Sequence, residues 1–289
     1  MRIGVTGASG FIGSHLTRAL KKHGKVATLS RGKSLPSLAH LKSFVSGVDL
    51  FFHLGGVNRG TNEDILTGNV TGTLRLLEAI KRYGEPSARI LFASSAQVYR
   101  LQNRVEKISE KSALQPESVY GVSKKSAEDL IRISGLPYTI LRMTNAYGPG
   151  CRADYNSVVT TFCYRTKNKI PLEINGQGKQ NRDFIYIDDI VRAFLIAGFQ
   201  NQNPVSKAYN VSSGHMTSLV KIVNTIKRFE KSVKVEFKPG VEDKISYCCD
   251  ASRFKREYSW KPKTSLLQGI EKSLKHFGKK NEEYRNPRP

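Results

Sequence analysis

A short apolar run, Ile3 to Val5, is followed at once by a stretch in which Ile12, Leu16 and Leu20 fall on one helical face. The alternation then repeats. Lys25 to Leu29 reads as a second strand, Leu38 to Phe44 as a short helix, and Val48 to Leu54 as a buried parallel strand closed by Gly55 and Gly56. Asn69 to Tyr83 predicts an amphipathic helix with Leu74, Leu77 and Ile80 on its buried side, stopped by Gly84. Arg89 to Ala93 predicts the next strand, and Glu117 to Ser134 the next helix. Strands alternating with helices predict an α/β fold around a doubly wound parallel sheet. Between Arg31 and Val48 lie sixteen residues, too few for a helix, a strand and a second helix. The usual third strand is therefore expected to be missing, which leaves the second strand at the sheet edge.

The 289 residues, 39% hydrophobic and 25% charged, describe a globular protein with ample length for a large core. No apolar run approaches the roughly twenty residues of a membrane span, and the first strand begins too early to leave room for a signal peptide. Cys151, Cys163, Cys248 and Cys249 have no metal-ligand spacing, so no metal site is expected and they read as reduced thiols of a cytoplasmic protein. The net charge of +23 suits anionic ligands and raises nucleic acid as an alternative partner. The lysines are scattered and no basic run is interleaved with aromatics, so a solvated lysine-rich surface is the leading reading.

The chemistry begins in the turn after the first strand, Thr6-Gly7-Ala8-Ser9-Gly10-Phe11-Ile12-Gly13. Gly7 suits a tight turn, Gly10 lets backbone approach a pyrophosphate, and Gly13 allows close packing of helix on strand. Ser9, Phe11 and Ile12 supply the surrounding backbone and helix N-terminus, where free N–H groups favour phosphate. Taken alone, this G-x-x-G-x-x-G pattern fits either a cofactor loop or a merely tight turn. After the second strand stand Ser30 and Arg31, where an NAD site usually has an acid. A guanidinium there pairs with a 2′-phosphate, which favours NADP(H), with NAD(H) as the alternative. His53, at a strand end, reads as structural.

The strand from Arg89 ends in Ser94-Ser95, at the carboxyl edge where such sheets bind ligands. Tyr120 and Lys124, four residues apart, share a helix face. A nearby ammonium and an oxidised nicotinamide would both lower the phenol's pKa, making a base that accepts a hydroxyl proton as hydride leaves.

These motifs together resemble the extended short-chain dehydrogenase/reductase superfamily, in its NAD-dependent epimerase/dehydratase branch acting on nucleotide sugars. The likeness spans nearly the whole chain: Thr6–Gly13, His53-Leu54, Asn69-Val70, Ser94–Tyr99, Tyr120–Lys124, Asn145, Tyr147–Gly150, Arg182–Asp189, Asn210-Val211 and Trp260-Lys261-Pro262. It implies a Rossmann-like fold with a smaller C-terminal substrate lobe. The dinucleotide domain would comprise 1–147 plus about 182–211, and the lobe about 148–181 plus 212–289. It implies catalytic roles for Ser95, Tyr120 and Lys124. It adds Leu54, Gly55, Gly56, Asn69 and Ser94 to the cofactor contacts, and Asn145, Asn156, Arg182 and Lys238 to the substrate contacts. A homodimer built on paired helices is also expected.

Two departures narrow the reaction. Lys238 stands near where relatives carry a second phosphate-gripping arginine. Ala96 and Gln97 stand where sugar dehydratases carry an Asp-Glu pair, so neither can shuttle the protons that dehydration requires. The leading expectation is a UDP-hexose 4-epimerase type of enzyme. Local likeness of His53–Arg59 and Tyr155–Tyr164 to capsule enzymes that reduce a UDP-linked 4-keto-6-deoxy amino sugar supports an NADPH-dependent reductase as the alternative. A non-catalytic cofactor-binding scaffold that contacts RNA is the third reading.

Overall fold

The computed structural model describes residues 1–29, 37–101, 107–155, 157–200, 206–239 and 246–279. The chain runs β1 (Arg2–Thr6), α1 (Phe11–Leu20), β2 (Lys25–Leu29), α2 (Leu38–Val45), β3 (Leu50–His53), α3 (Asn62–Leu66), α4 (Gly72–Tyr83), β4 (Arg89–Ser95) and α5 (Val119–Ile133). It continues through β5 (Tyr138–Met143), β6 (Asn145–Tyr147), α6 (Val158–Lys167), β7 (Leu172–Asn175), β8 (Asn181–Tyr186), α7 (Ile187–Phe199) and β9 (Lys207–Val211). β10 (Met216–Ser218), α8 (Leu219–Lys227), β11 (Val235–Lys238), α9 (Ser252–Tyr258) and α10 (Leu266–Lys279) complete it.

Six parallel strands form the main sheet in the order β2-β1-β3-β4-β5-β9. β2 lies at the edge, as the short connection to β3 requires. Alternate strand residues face opposite layers. Phe52, Leu91 and Leu141 pack with Leu16 and Leu20 of α1 and Phe194 of α7. Phe51, Phe92 and Ile140 pack instead with α2, α4 and α5 through Phe44, Ile80 and Ile131. Two small sheets, β10-β8-β6 and β11-β7, lie outside the main sheet. Tyr147, Phe162, Ile222, Ile270 and Leu274 share a third core there.

The expected helix over Asn69–Tyr83 differs in two ways. A π-helical turn, Thr67–Thr71, joins α3 to α4 and contains Asn69. The Asn69 amide holds the backbone of Val57, accepting from its N–H at 2.6 Å and donating to its carbonyl at 2.8 Å. Such single π-turns inside α-helices are frequent at functional sites. Leu74 is 40% exposed, whereas Leu77 and Ile80 are buried. Its helical phase puts it on the outer flank of α4.

One ionic network fastens β4, β5 and α5. Glu128, fully buried, accepts from Arg142 at 2.9 and 2.6 Å, from Ser94 at 2.6 Å and from Arg132 at 2.8 Å. Arg142 also donates to the Tyr99 hydroxyl at 2.7 Å, which donates to Asn210 on β9 at 3.0 Å. Removing one partner of a buried pair leaves a charge without its counter-ion. Arg142→Met is therefore expected to cost about 3–5 kcal/mol in urea denaturation. Adding Glu128→Leu to it should recover part of that loss, and strictly additive costs would count against the coupling.

Candidate active site

A cavity of about 840 Å³ opens over the carboxyl ends of β1, β3, β4 and β5, a size suited to small-molecule ligands. One wall is the turn from β1 to α1. Gly7 has φ +69°, and a Cβ on it would lie 2.6 Å from the Gly55 nitrogen. A Cβ on Gly13 would sit 2.0 Å from the Gly7 carbonyl oxygen, so only glycine permits this approach. α1 begins at Gly10 with no side-chain cap and no acid in its first turn. Its leading N–H groups therefore face the cavity beside Ser9, Gly10, Phe11 and Ile12, which line it. The cradle fits a dinucleotide pyrophosphate.

The opposite wall comes from β4 and α5. Ser118 caps α5 by accepting from Gly121 N–H at 3.0 Å, which starts the helix just before Tyr120. Tyr120, Lys124 and Glu128 then descend one stripe at four-residue intervals, the first two facing the cavity and the third buried in the network below. Burial pushes the Tyr120 phenol up to about 12, partly offset by its hydrogen bond to Ser95. Burial brings the Lys124 ammonium down to about 8, partly offset by the charge of Glu128. Lys124 Nζ lies 4.2 Å from the centre of the Phe92 ring. The expected lowering of the phenol is thus not what these protein groups produce: desolvation outweighs the help of neighbours.

The NAD dependent epimerase/dehydratase family matches residues 3–212, and these residues include the glycine turn, Ser95, Tyr120 and Lys124. The chain belongs to this family. It is an NAD(P)-dependent enzyme of the extended short-chain dehydrogenase/reductase type, from a group that includes epimerases and reductases of nucleotide sugars. It is 30% identical to an uncharacterized UDP-glucose epimerase, YtcB, of Bacillus subtilis, over 96% of this chain and 98% of that one. It is 32% identical to the UDP-2-acetamido-2,6-beta-L-arabino-hexul-4-ose reductase of Pseudomonas aeruginosa, over 68% of this chain and 49% of that enzyme, so the match spans about half of the reductase. Among solved structures, the UDP-glucose 4-epimerase of Thermotoga maritima with UDP-glucose superimposes with a TM-score of 0.85 at 28% identity, covering 98% of this chain and 100% of that one.

Of the residues expected at the family's site, Gly7, Ser9, Gly10, Phe11, Ile12, Gly13, Leu54, Gly56, Ser94, Ser95, Tyr120, Lys124 and Asn145 line the cavity. Others are placed differently. Gly55 lies behind the wall, its N–H on the Thr6 hydroxyl at 3.0 Å. Asn69 is buried behind Gly56, engaged with Val57 and, at 2.8 Å, with Ser123. The Ser94 hydroxyl turns down to Glu128. Arg182 donates to the Asn181 carbonyl at 3.1 Å, stands 5.9 Å from the centre of the Tyr247 ring and is not among the lining residues. Lys238 lies on β11, ion-paired with Glu173 at 2.9 Å and away from the cavity wall. Ser30, Arg31 and Asn156 lie outside the described residues.

The structure also adds lining residues that pattern reading did not single out as contacts: Arg59, Gln97, Ser118, Arg152, Tyr155 and Tyr247. Arg59 and Arg152 approach the Tyr155 ring from two loops, at 5.1 and 4.7 Å from its centre. Arg59 and Tyr155 fall inside the two segments of local likeness to the capsule reductases, the one signal that could have found them. The lining includes no Asp or Glu among the described residues. Cys151 also lines it, but burial pushes its thiol up to about 11, which makes it a poor nucleophile.

His53 is the structural histidine that its strand-end position suggested. Its Nδ1 lies 2.6 Å from the Thr6 hydroxyl and its Nε2 lies 2.9 Å from the Thr73 hydroxyl. Thr6 Oγ1 accepts from Gly55, and Thr73 donates to the Asn69 carbonyl at 2.6 Å. The ring therefore accepts at Nδ1 and donates at Nε2, one neutral tautomer tying the glycine turn to the π-helical turn. Burial, helped by the charge of Lys124, drops its pKa from 6.5 to about 3. The unfolded chain then binds the proton that the folded chain refuses, so this contribution to stability is lost as pH falls from about 6.5 towards 3. The slope should approach about 1.4 kcal/mol per pH unit. Urea denaturation of wild type and His53→Gln across that window should show a shallower slope in the variant; parallel curves would remove His53 from this role.

Proposed function

We propose that this enzyme is a nucleotide-sugar 4-epimerase of the UDP-hexose type, working by reversible oxidation of a sugar carbon. The convergence of Ser95, Tyr120 and Lys124 opposite the glycine cradle carries this reading. The likeness to UDP-glucose epimerases along almost the whole chain favours epimerisation. The glycine turn would hold the pyrophosphate, Lys124 the ribose, and Leu54 and Gly56 the floor beneath. When bound, the nicotinamide supplies hydride exchange with the sugar carbon and, in its oxidised form, a positive charge that favours the phenolate. Tyr120 accepts the proton of the sugar hydroxyl, and Ser95 hydrogen-bonds the same oxygen. Tyr120 returns that proton once the carbonyl has presented its other face. Ala96 and Gln97 carry no proton-shuttling group, which argues against elimination of water.

Tyr120→Phe is expected to lower turnover by roughly 10²–10⁴-fold while leaving cofactor affinity nearly unchanged. Unchanged turnover would remove Tyr120 from the role of base.

A single-pass reductase of a nucleotide-linked 4-keto sugar remains as the second reading, favoured by Arg31 and by the relative that is a reductase. Incubation with UDP-glucose or UDP-galactose decides between them. Interconversion without net consumption of NAD(P)H is expected, and a strict requirement for stoichiometric NADPH would end the epimerase reading. The cofactor reading is NADP(H) over NAD(H), resting on Arg31. Fluorescence titration should give the tighter dissociation constant for NADPH, and tighter binding of NADH would overturn it.

A further inference from the structure

Gln97 stands beside the Ser95–Tyr120 pair and has no part in the proton transfer above. Its backbone N–H donates to Ser95 Oγ at 3.2 Å, and its exposed side chain lines the cavity. A chain of donors orients its carboxamide. Ser118 Oγ accepts the Gly121 N–H at the start of α5, then donates its single proton to Gln97 Oε1 at 3.0 Å. Reversing the amide would deprive that serine proton of its acceptor. The nitrogen end is therefore the end left over, and no described protein group takes its two hydrogens. Lys124, Arg59 and Arg152 also line the cavity and are donors as well, so the wall contains no described carboxylate that could claim the amide.

We propose that Gln97 is a specificity-determining residue whose carboxamide directs its N–H donors at an acceptor oxygen of the sugar, distinct from the oxygen held by Ser95 and Tyr120. The inference rests on the nucleotide-sugar reading of the site and deepens it. An acid at this position presents acceptors to the same point, so it selects a sugar that donates there, whereas glutamine selects one that accepts. The serine cap of α5 thus has two functions: it starts the helix that carries Tyr120, and it sets which end of Gln97 meets the ligand.

Calorimetric titration of UDP, UDP-glucose, UDP-N-acetylglucosamine and UDP-glucuronate into wild type, Gln97→Met and Gln97→Glu tests this. UDP lacks the sugar, so its affinity should stay within about twofold of wild type in the methionine variant, which also shows that the site is folded. The tightest UDP-sugar should lose about tenfold in both variants, the size of one hydrogen bond to a ligand. If Gln97 served only to hold Ser118, Gln97→Glu would still accept the serine proton and bind like wild type while Gln97→Met weakened; that result overturns the proposal. Equal losses for UDP and UDP-sugar, or wild-type affinity in both variants, also overturn it. A wild-type protein that binds neither UDP nor any UDP-sugar overturns the nucleotide-sugar reading itself.

Discussion

Glu128 is the carboxylate on which the active-site geometry depends. It is wholly removed from water, and a carboxylate in that position is tolerated only when its oxygens are saturated by charged and polar donors. Arg142, Ser94 and Arg132 do so from three elements, β5, β4 and α5. Because Ser95 follows Ser94, and because Lys124 and Tyr120 lie one and two turns above Glu128, the same carboxylate fixes the distance between the strand that carries Ser95 and the helix that carries Tyr120 and Lys124. The network reaches further through Tyr99 to Asn210, whose amide donates to the carbonyls of Ile108 and Asp250 at 2.9 and 3.1 Å. Hydrogen bonds thus connect β9 to Ser94, the residue before Ser95.

A second buried carboxylate places the remaining wall. Asp183 accepts from Thr144, Ser213, Gly214, Cys248 and Cys249, at 2.7 to 3.4 Å. These groups come from segments far apart in sequence, and gathering them brings Tyr247 beside Asn145, whose amide donates to the tyrosine hydroxyl at 2.8 Å. The chain around Tyr247 is pinned at Asp183 and also by Tyr247 N–H donating to the Asn181 carbonyl at 3.3 Å, and the ring lines the cavity. Cys248 and Cys249 take part in this packing, where burial raises both thiols.

This division explains how much was legible beforehand. The strands and most helices followed from periodicity, because a residue's depth in a layered sheet is set by its neighbours two or four positions away. The edge position of β2 followed from chain length alone. The glycine turn, Ser95, Tyr120 and Lys124 lie within local motifs, and the fold brings them to one cavity. Asn69 was legible as a special residue but not as a brace, since its partners Val57 and Ser123 lie twelve and fifty-four positions away. The π-helical turn that serves it was invisible for the same reason. Lys238 stands near the position of the family's arginine, yet on β11 it pairs in register with Asn175 of β7 and its ammonium reaches back to Glu173 two positions away. Arg152 and Tyr247 belong to the wall only through loop paths that no periodicity encodes.

The directions of the two pKa shifts constrain the chemistry more than their sizes. Burial favours the neutral form of both groups, raising the Tyr120 phenol and lowering the Lys124 ammonium. The protein walls alone therefore keep Tyr120 protonated, and the cavity lining contains no described acid to share its proton. On the proposed reading, ionisation of the phenol is favoured by charge carried by the ligands. A positive nicotinamide ring favours the phenolate and a neutral, reduced ring does not. In the proposed epimerisation Tyr120 would accordingly be a base when hydride leaves the sugar and an acid when hydride returns. That reversal is what an epimerase needs from one residue, and it requires no second proton-carrying side chain where Ala96 and Gln97 stand.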